Sequence, residues 1–459
     1  MINNINADVV VIGGGPAGLN AAIAAGRTGA KTVLIERYGF LGGMSTIALV
    51  YPWMTFHAED GRQVIRGIAQ EIIDRLMALG ASPGHLRDTV GFVRTVTPYD
   101  PEIYKVLAMD MLHEAGVKLL LHSFVDEVQT EDNRIISITL TGKSGRFQVS
   151  GRVFVDTTGD ADVAHLAGAP CELGRMGDGL TQPMTMKFRM KGVNVPAVKQ
   201  YMIDHPDEFY YKTPFQELAQ LPLTAVGGFS RHWKEWGPAI PRSDVLFFIG
   251  PADDEVLVNT TRVQGLDGTQ VEDLTKAEEI SRKQVLQVAE FMKKYLPGFE
   301  KATISQVGAQ IGVRETRRIK GQYMLTMDDV IEGKKFPDVI GRSGYPIDLH
   351  DPKGNGVKAA WIQGDGTYDI PYGCLLPIKI VNLLAAGRCI STTHEALGTT
   401  RLSPSCMATG QAAGTAAALS LSYGDEPKNV PIEKLQHLLR ANGVILNDAD
   451  CRCEEAWDE

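Results

Sequence analysis

The apolar run Val9-Val10-Val11-Ile12 leads directly into Gly13-Gly14-Gly15-Pro16-Ala17-Gly18, and the next apolar run, Val33-Leu34-Ile35, ends on Glu36. A strand, a glycine-rich turn, a helix, a second strand and a terminal acid form a cradle for the pyrophosphate and ribose of a dinucleotide. Gly13 allows the tight turn out of the strand. Gly15 lets the backbone approach the pyrophosphate, and Gly18 lets the helix pack closely on the strand. Pro16 suits a first helical turn, where no backbone donor is needed. The free N–H groups and the dipole at the helix start favour phosphate. Gly29 is placed to stop the helix. Glu36 would accept hydrogen bonds from a ribose with free hydroxyls and would repel a 2′-phosphate.

The chain has 459 residues, enough for two or three domains and a large core. Its formal net charge of −9 argues against a nucleic-acid partner. Without an apolar run long enough to span a bilayer, no membrane span is expected. No Lys or Arg precedes Arg27, so a secretory signal with a charged start is not expected, and the cytoplasm is the default location. The six cysteines, Cys171, Cys374, Cys389, Cys406, Cys451 and Cys453, are scattered and form no CxxC, as in a reduced intracellular protein. That spacing counts against a redox dithiol and against an iron–sulfur cluster of common type. Cys389 reads as a small packing residue.

Further along, Gly42-Gly43-Met44-Ser45 makes a second glycine turn. Residues 62–79 carry Val64, Ile65, Ile68, Ile72, Leu76 and Leu79 at helical spacing, stopped by Gly80. Asp100-Pro101 caps and starts another helix, ending near Gly116. Strands are expected over 117–122, 124–129 (which includes Val125), 135–141, 146–149 and 152–157, the last running into Thr158-Gly159-Asp160. From about 170 to 368 the composition changes, and its clearest element is a helix near 272–295. Asn382–Gly387 then reads as a buried strand ending in glycine. Ser403-Pro404 offers a cap and first turn for a helix to about 422, with Gly410 and Gly414 baring one face for packing on the sheet. The expected class is α/β: a Rossmann-like dinucleotide-binding domain over 1–168 and 369–446, an inserted α+β substrate domain over 169–368, and an acidic tail over 447–459.

These segments together resemble the FAD-dependent oxidoreductases of the glutathione-reductase-type fold, near the fumarate reductase and succinate dehydrogenase flavoprotein subunits. The opening unit through Glu36-Arg37, the Gly42–Ser45 turn, the strand into Gly159-Asp160 and the block Leu384–Leu402 carry the likeness. It implies FAD, with Gly387 at the ribityl–phosphate region, Arg388 also binding the cofactor, and the helix start at Leu402, Ser403 and Ser405 pointing at the flavin. Related subunits that bind flavin covalently use a histidine just before the second glycine turn. Arg37 to Gly42 holds no His or Cys, so non-covalent FAD is expected.

For the substrate the resemblance points first to Arg401. In fumarate-reductase-like proteins an Arg-Leu pair at this place binds a carboxylate, which suits a guanidinium fork. A structural ion pair or a flavin contact is the alternative, because Ser403-Pro404-Ser405 stands where those enzymes carry glycines. His394, expected near the ring, suits proton transfer, or else is a hydrogen-bonded structural residue. Arg314 is the favoured member of the cluster Arg314, Glu315, Arg317 and Arg318. Tyr51, Trp53 and Phe56 either wall a substrate pocket or belong to the core. No metal site is read. The resulting expectation is an oxidoreductase passing hydride between a small organic molecule and flavin N5, with an unidentified electron donor or acceptor and an open oligomeric state. Alternatives are a flavoprotein that uses FAD structurally and an isoprenoid reductase, which would need an apolar tunnel.

Overall fold

Two stretches far apart in sequence meet in one parallel sheet. In the computed structural model, which describes residues 4–211, 218 and 220–451, the sheet runs Leu383–Ala385, Val153–Asp156, Val9–Ile12, Thr32–Ile35, Lys118–Leu120. All neighbours pair parallel, with Val155 opposite both Val11 and Leu384. Four-residue runs of Val, Ile and Leu suit this position, because a parallel sheet covered on both faces buries every side chain. Val9 and Val11 point into a core with Leu19, Ile23 and Ala412, on the side of the helices. Val10 and Ile12 point the other way, against Ile138, Leu140 and Val149 of a second, four-stranded sheet. The Rossmann-like core is therefore present as expected.

Two helices stack on the first face, Pro16–Arg27 and Ser403–Ser420. Their contact is main chain against main chain. A Cβ on Gly410 would lie 2.1 Å from the Ala17 carbonyl oxygen, and one on Gly414 would lie 2.0 Å from that of Ala21. The glycine face thus packs on the first helix and not on the sheet, correcting the expectation. Because 17 meets 410 and 21 meets 414, the helices run the same way and start at the same side.

Residues 188–307 build a five-stranded antiparallel sheet, ordered Ala225–Gly228, Val245–Ile249, Glu255–Val258, Phe188–Lys191, Thr303–Val307. The helix Val271–Tyr295 buries Val285, Val288 and Met292 against Phe188, Phe247 and Val258.

Other boundaries shift for local reasons. The helix expected over 62–79 starts at Ile68, because Gly67 holds φ at +70° and residue 63 bridges to His57. Asp100 caps Pro101–Glu114 as expected, its Oδ1 accepting from the N–H groups of Glu102 and Ile103. Ser403 is the first residue of its helix and not its cap; Leu402 takes that place without a side-chain hydrogen bond. Of the tail, residues 452–459, with Cys453, lie outside the described residues.

A Val at position 410 would force the two helices apart. Gly410→Val is expected to lower stability by about 1–3 kcal/mol or more, read as a fall in thermal midpoint by circular dichroism together with loss of bound flavin. An unchanged midpoint would refute the close contact.

Candidate functional site

A cavity of about 760 Å³ lies where the first helix, the last helix and the antiparallel sheet converge. At its first end, Gly13, Gly15, Pro16 and Ala17 line it where the opening helix begins. Gly13 holds φ at +104°, and a Cβ there would meet the Thr157 carbonyl oxygen at 2.4 Å, so the turn requires glycine. A Cβ on Gly15 would find only Gly43 Cα, at 3.7 Å, so this backbone faces open space. No side chain caps the helix and no acid occupies its first turn, so its N–H groups are free for an anion.

Glu36 lines the same end. Its Oε2 accepts from the Gly14 N–H at 2.6 Å and its Oε1 from the Tyr38 N–H at 2.9 Å. Burial pushes its carboxyl up, and these donors oppose the shift. Each oxygen keeps a second lone pair for a ribose hydroxyl. Arg37, Val125, Gly159, Asp160 and Arg388 also line the cavity. Asp160 accepts from Arg388 Nη2 and from Thr316 Oγ1, both at 2.6 Å. Burial raises the Asp160 carboxyl, but Arg388, Thr316 and Arg37 outweigh it and hold it below the usual carboxylate range.

Further along come Gly43, Met44, Gly387, Leu402 and Ser403. Here the last helix opens on the cavity, again without a side-chain cap.

The inner end is charged. Arg314 Nη1 donates to the Pro183 carbonyl at 2.5 Å and to Thr185 Oγ1 at 2.6 Å. Arg401 Nη2 donates to Asp348, to its carbonyl at 3.2 Å and to Oδ2 at 3.3 Å. His350 Nε2 lies 3.5 Å from the same Oδ2. Burial opposes ionisation of Asp348, but His350 and Arg401 hold its carboxyl below the usual range. Burial and Arg314 lower the His350 imidazole to about 3, so it is neutral near pH 7. Burial and Asp348 raise the Tyr345 phenol, which stays protonated. Lys187 and Asn259 complete this end.

Several expected site residues stand behind the cavity wall. Gly14 gives its N–H to Glu36 and lies against Leu41. Gly18 is pressed on Gly13, where a Cβ would lie 1.7 Å from the carbonyl oxygen. Gly42 backs onto Thr46. Ser45 Oγ accepts from Trp53 Nε1 at 3.0 Å, and Ser405 Oγ lies 3.1 Å from Ser343 Oγ. These five support the wall and do not line the cavity. His394 is likewise corrected: it is 3 % exposed and absent from the lining, with Nδ1 2.8 Å from Glu315 Oε2. Glu315 in turn pairs with Arg318 at 2.5 Å, so this part of the charged cluster is a buried structural pair. Arg317 binds Asp162 and the Asp160 carbonyl. Tyr51 reaches the cavity, whereas Trp53 and Phe56 are core.

Lys187, Asn259, Tyr345, Asp348 and His350 went unread. They are single polar residues in ordinary-looking strands and loops. The one available signal is period two in Ile347-Asp348-Leu349-His350, which sets Asp348 and His350 on one face.

A dinucleotide turn at one end, a second uncapped helix in the middle and a charged inner end fit an enzyme that holds an extended dinucleotide cofactor. The chain belongs to the FAD dependent oxidoreductase family, whose profile matches residues 8–439. Thiamine thiazole synthase from Aeropyrum pernix is 30 % identical over 139 residues, covering 30 % of this chain and 44 % of that protein. The tRNA uridine 5-carboxymethylaminomethyl modification enzyme MnmG from Campylobacter fetus is 24 % identical over 251 residues, 48 % of this chain and 38 % of that protein. The chain thus spans less than half the length of these curated relatives. A geranylgeranyl bacteriochlorophyll reductase-like structure from Thermoplasma acidophilum aligns over 97 % of this chain and 86 % of its own, with 13 % identity and a TM-score of 0.45. The p-nitrophenol 4-monooxygenase PnpA from Pseudomonas putida aligns over 97 % and 91 %, with 12 % identity and a TM-score of 0.46. No helix among the described residues is long and apolar enough to cross a membrane.

The open backbone at Gly15 and the two uncapped helix starts fit FAD, which this family uses. If the flavin is held without a covalent bond, acid precipitation will leave a white pellet and all yellow colour in the supernatant. Colour that stays with the pellet would contradict this.

Proposed function

We propose that this flavoenzyme acts on a small organic acid, whose carboxylate is held between Arg401 and Arg314. The observation that carries this reading is the pair of guanidiniums at the inner end of the cavity, each anchored from one side only. Both hydrogen bonds of Arg314 leave from Nη1, and both of Arg401 leave from Nη2. Arg314 keeps Nε and Nη2 and Arg401 keeps Nη1 for an acceptor in the cavity, donors of the kind with which arginine recognises carboxylates, while Arg401 Nε is buried. Asp348 orients Arg401 and offsets one of the two charges.

FAD, when bound, supplies two-electron chemistry, with hydride passing between a substrate carbon and flavin N5. The protein's part is to bind and orient. Ser403 and Leu402 set the start of the last helix beside the cavity, and partial positive charge there favours negative charge on the cofactor by about 0.3–2 kcal/mol. The proposed substrate domain over 169–368 contributes Thr185, Lys187, Phe248 and Asn259 to the wall. This placement of an Arg-Leu pair supports the kinship with fumarate-reductase-like flavoproteins and a glutathione-reductase-type arrangement. A charged inner end is the opposite of the apolar tunnel an isoprenoid reductase needs, which disfavours that alternative. The electron partner is a separate molecule of unassigned identity.

Anaerobic stopped-flow mixing with a panel of small organic acids tests the reading, since a substrate bleaches the oxidised flavin. For any such acid, Arg401→Ala is expected to lower the second-order rate constant of bleaching about 100-fold, roughly 3 kcal/mol, as for lost hydrogen bonds to a charged group. Arg401→Lys should recover part of it. Wild-type bleaching by the Ala variant would remove Arg401 from substrate binding.

A further inference from the structure

Lys187 stands out among the groups that the proposed function leaves unused. It lines the inner end of the cavity, yet its ammonium makes no hydrogen bond or ion pair with any described residue. Lys187 is only partly buried, so its three donors face the cavity. It sits one residue before Phe188, and Asn259 sits one residue after Val258, Phe188's antiparallel partner. Asn259 lines the cavity too, and its Oδ1 is buried without a partner. Two unengaged polar groups therefore flank one strand pair and share a cavity wall.

The charges around Lys187 come from three other segments. Arg314 lies ahead of the strand Arg317–Ile319, Arg401 lies in the turn before the last helix, and Asp348 and His350 lie on the strand Ile347–His350. Tyr345 precedes that strand and is neutral, as is His350. Two guanidiniums face one carboxylate, so one positive charge is uncompensated before Lys187 is counted. A guanidinium does not give up its proton in a protein. Lysine does, so by giving up its proton Lys187 avoids adding a second uncompensated charge. Burial, then Arg314 and Arg401, lower its ammonium to about 7, with Asp348 opposing. A bound carboxylate would supply the missing negative charge and reverse the balance.

We propose that Lys187 takes up a proton when a carboxylate binds at the inner end of the cavity, and holds it at Nζ beside the bound acid. This rests on the carboxylate reading of the site above. The proton comes from solvent and forms an N–H bond on the amine, and no electron moves. Binding of an anion is thereby tied to arrival of a proton, which leaves a proton carrier next to the substrate before any chemistry begins. Asn259 Oδ1 is placed on the same wall to accept from the new ammonium.

Calorimetric titration of the FAD-loaded protein with acetate and succinate, each in phosphate and in Tris, measures the protons taken up per anion bound. By linkage, uptake is present above the free ammonium's pKa and fades below it. Roughly 0.5–0.9 proton per carboxylate is expected at pH 8, falling toward zero at pH 5.5. Lys187→Met and Lys187→Arg should both lose the pH 8 uptake, while Lys187→Arg, permanently charged, should still bind the anion. Retained flavin absorbance in each variant controls for folding. Uptake unchanged in Lys187→Met, or a wild-type uptake that does not vary between pH 5.5 and 8, overturns the proposal. Binding that needs Arg401 but brings no proton overturns the role of Lys187 and leaves the carboxylate reading standing. Absence of binding by either acid at 10-mM levels, roughly −3 kcal/mol or weaker, overturns both.

Discussion

The contact between the first and last helices governs the arrangement of the whole site. Gly410 and Gly414 let the backbone of Ser403–Ser420 rest on the carbonyls of Ala17 and Ala21. No side chain spaces the two helices, so their axes are as close as main chain permits, and they run in the same direction. Their N-termini consequently open on one side, at Gly15 and at Leu402, into the same cavity. The parallel sheet follows the same logic. Leu383–Ala385 pairs with Val153–Asp156, which pairs with Val9–Ile12, so the end of the chain closes the fold that its beginning started. Gly387 then passes beside Ala17, where a Cβ would lie 2.9 Å from the alanine methyl group. Two helix dipoles reach one extended ligand only because these residues are small.

Support for the cavity comes in part from groups behind its wall. Glu36 is held by the N–H groups of Gly14 and Tyr38, Ser45 by the Trp53 indole, and Asp160 by Arg388 and Thr316. These three polar groups are satisfied by neighbours, as low-dielectric surroundings require, whereas Asn259 Oδ1 on the same cavity is buried without a partner. His394 braces the wall from one side only, since its Nε2 is buried without a partner. Its imidazole completes Glu315, whose carboxylate also takes Arg318 and the Gln182 N–H, and so a residue with catalytic chemistry serves as a buried brace.

The fold was legible in the sequence where local physics decides it. Val9–Ile12 before the glycines, Asp100-Pro101 before a helix, and the 25-residue amphipathic helix Val271–Tyr295 all carry their own signals. Elements that depend on a distant partner were misjudged. Residues 62–67 have helical spacing, but Gly67 in a left-handed conformation stops the helix from extending backwards. The glycine face of the last helix was legible as a face, but its partner was not, because nothing local says whether a helix or a sheet will cover it. The cofactor end was readable because it is a contiguous motif acting through its backbone. The inner end draws Lys187, Asn259, Arg314, Asp348 and Arg401 from five separate segments, and a charge pair such as Asp348 with Arg401 exists only after folding.

The two ends of the cavity attract anions by different means, and the difference suits what each must hold. A resident diphosphate needs a site that never changes, and main-chain N–H groups at a helix start have no proton to gain or lose at ordinary pH. A substrate must arrive, react and leave, so its site has to bear being empty. Fixed guanidiniums alone would leave the inner end with excess positive charge in that state, a burden that low dielectric magnifies. Asp348 removes part of the excess permanently, through its contact with Arg401. An amine beside them need not add to what is left, because it can give up its proton while the cavity is empty and regain it when an anion is present. The side chain at position 187 has that property, and arginine at the same place would not.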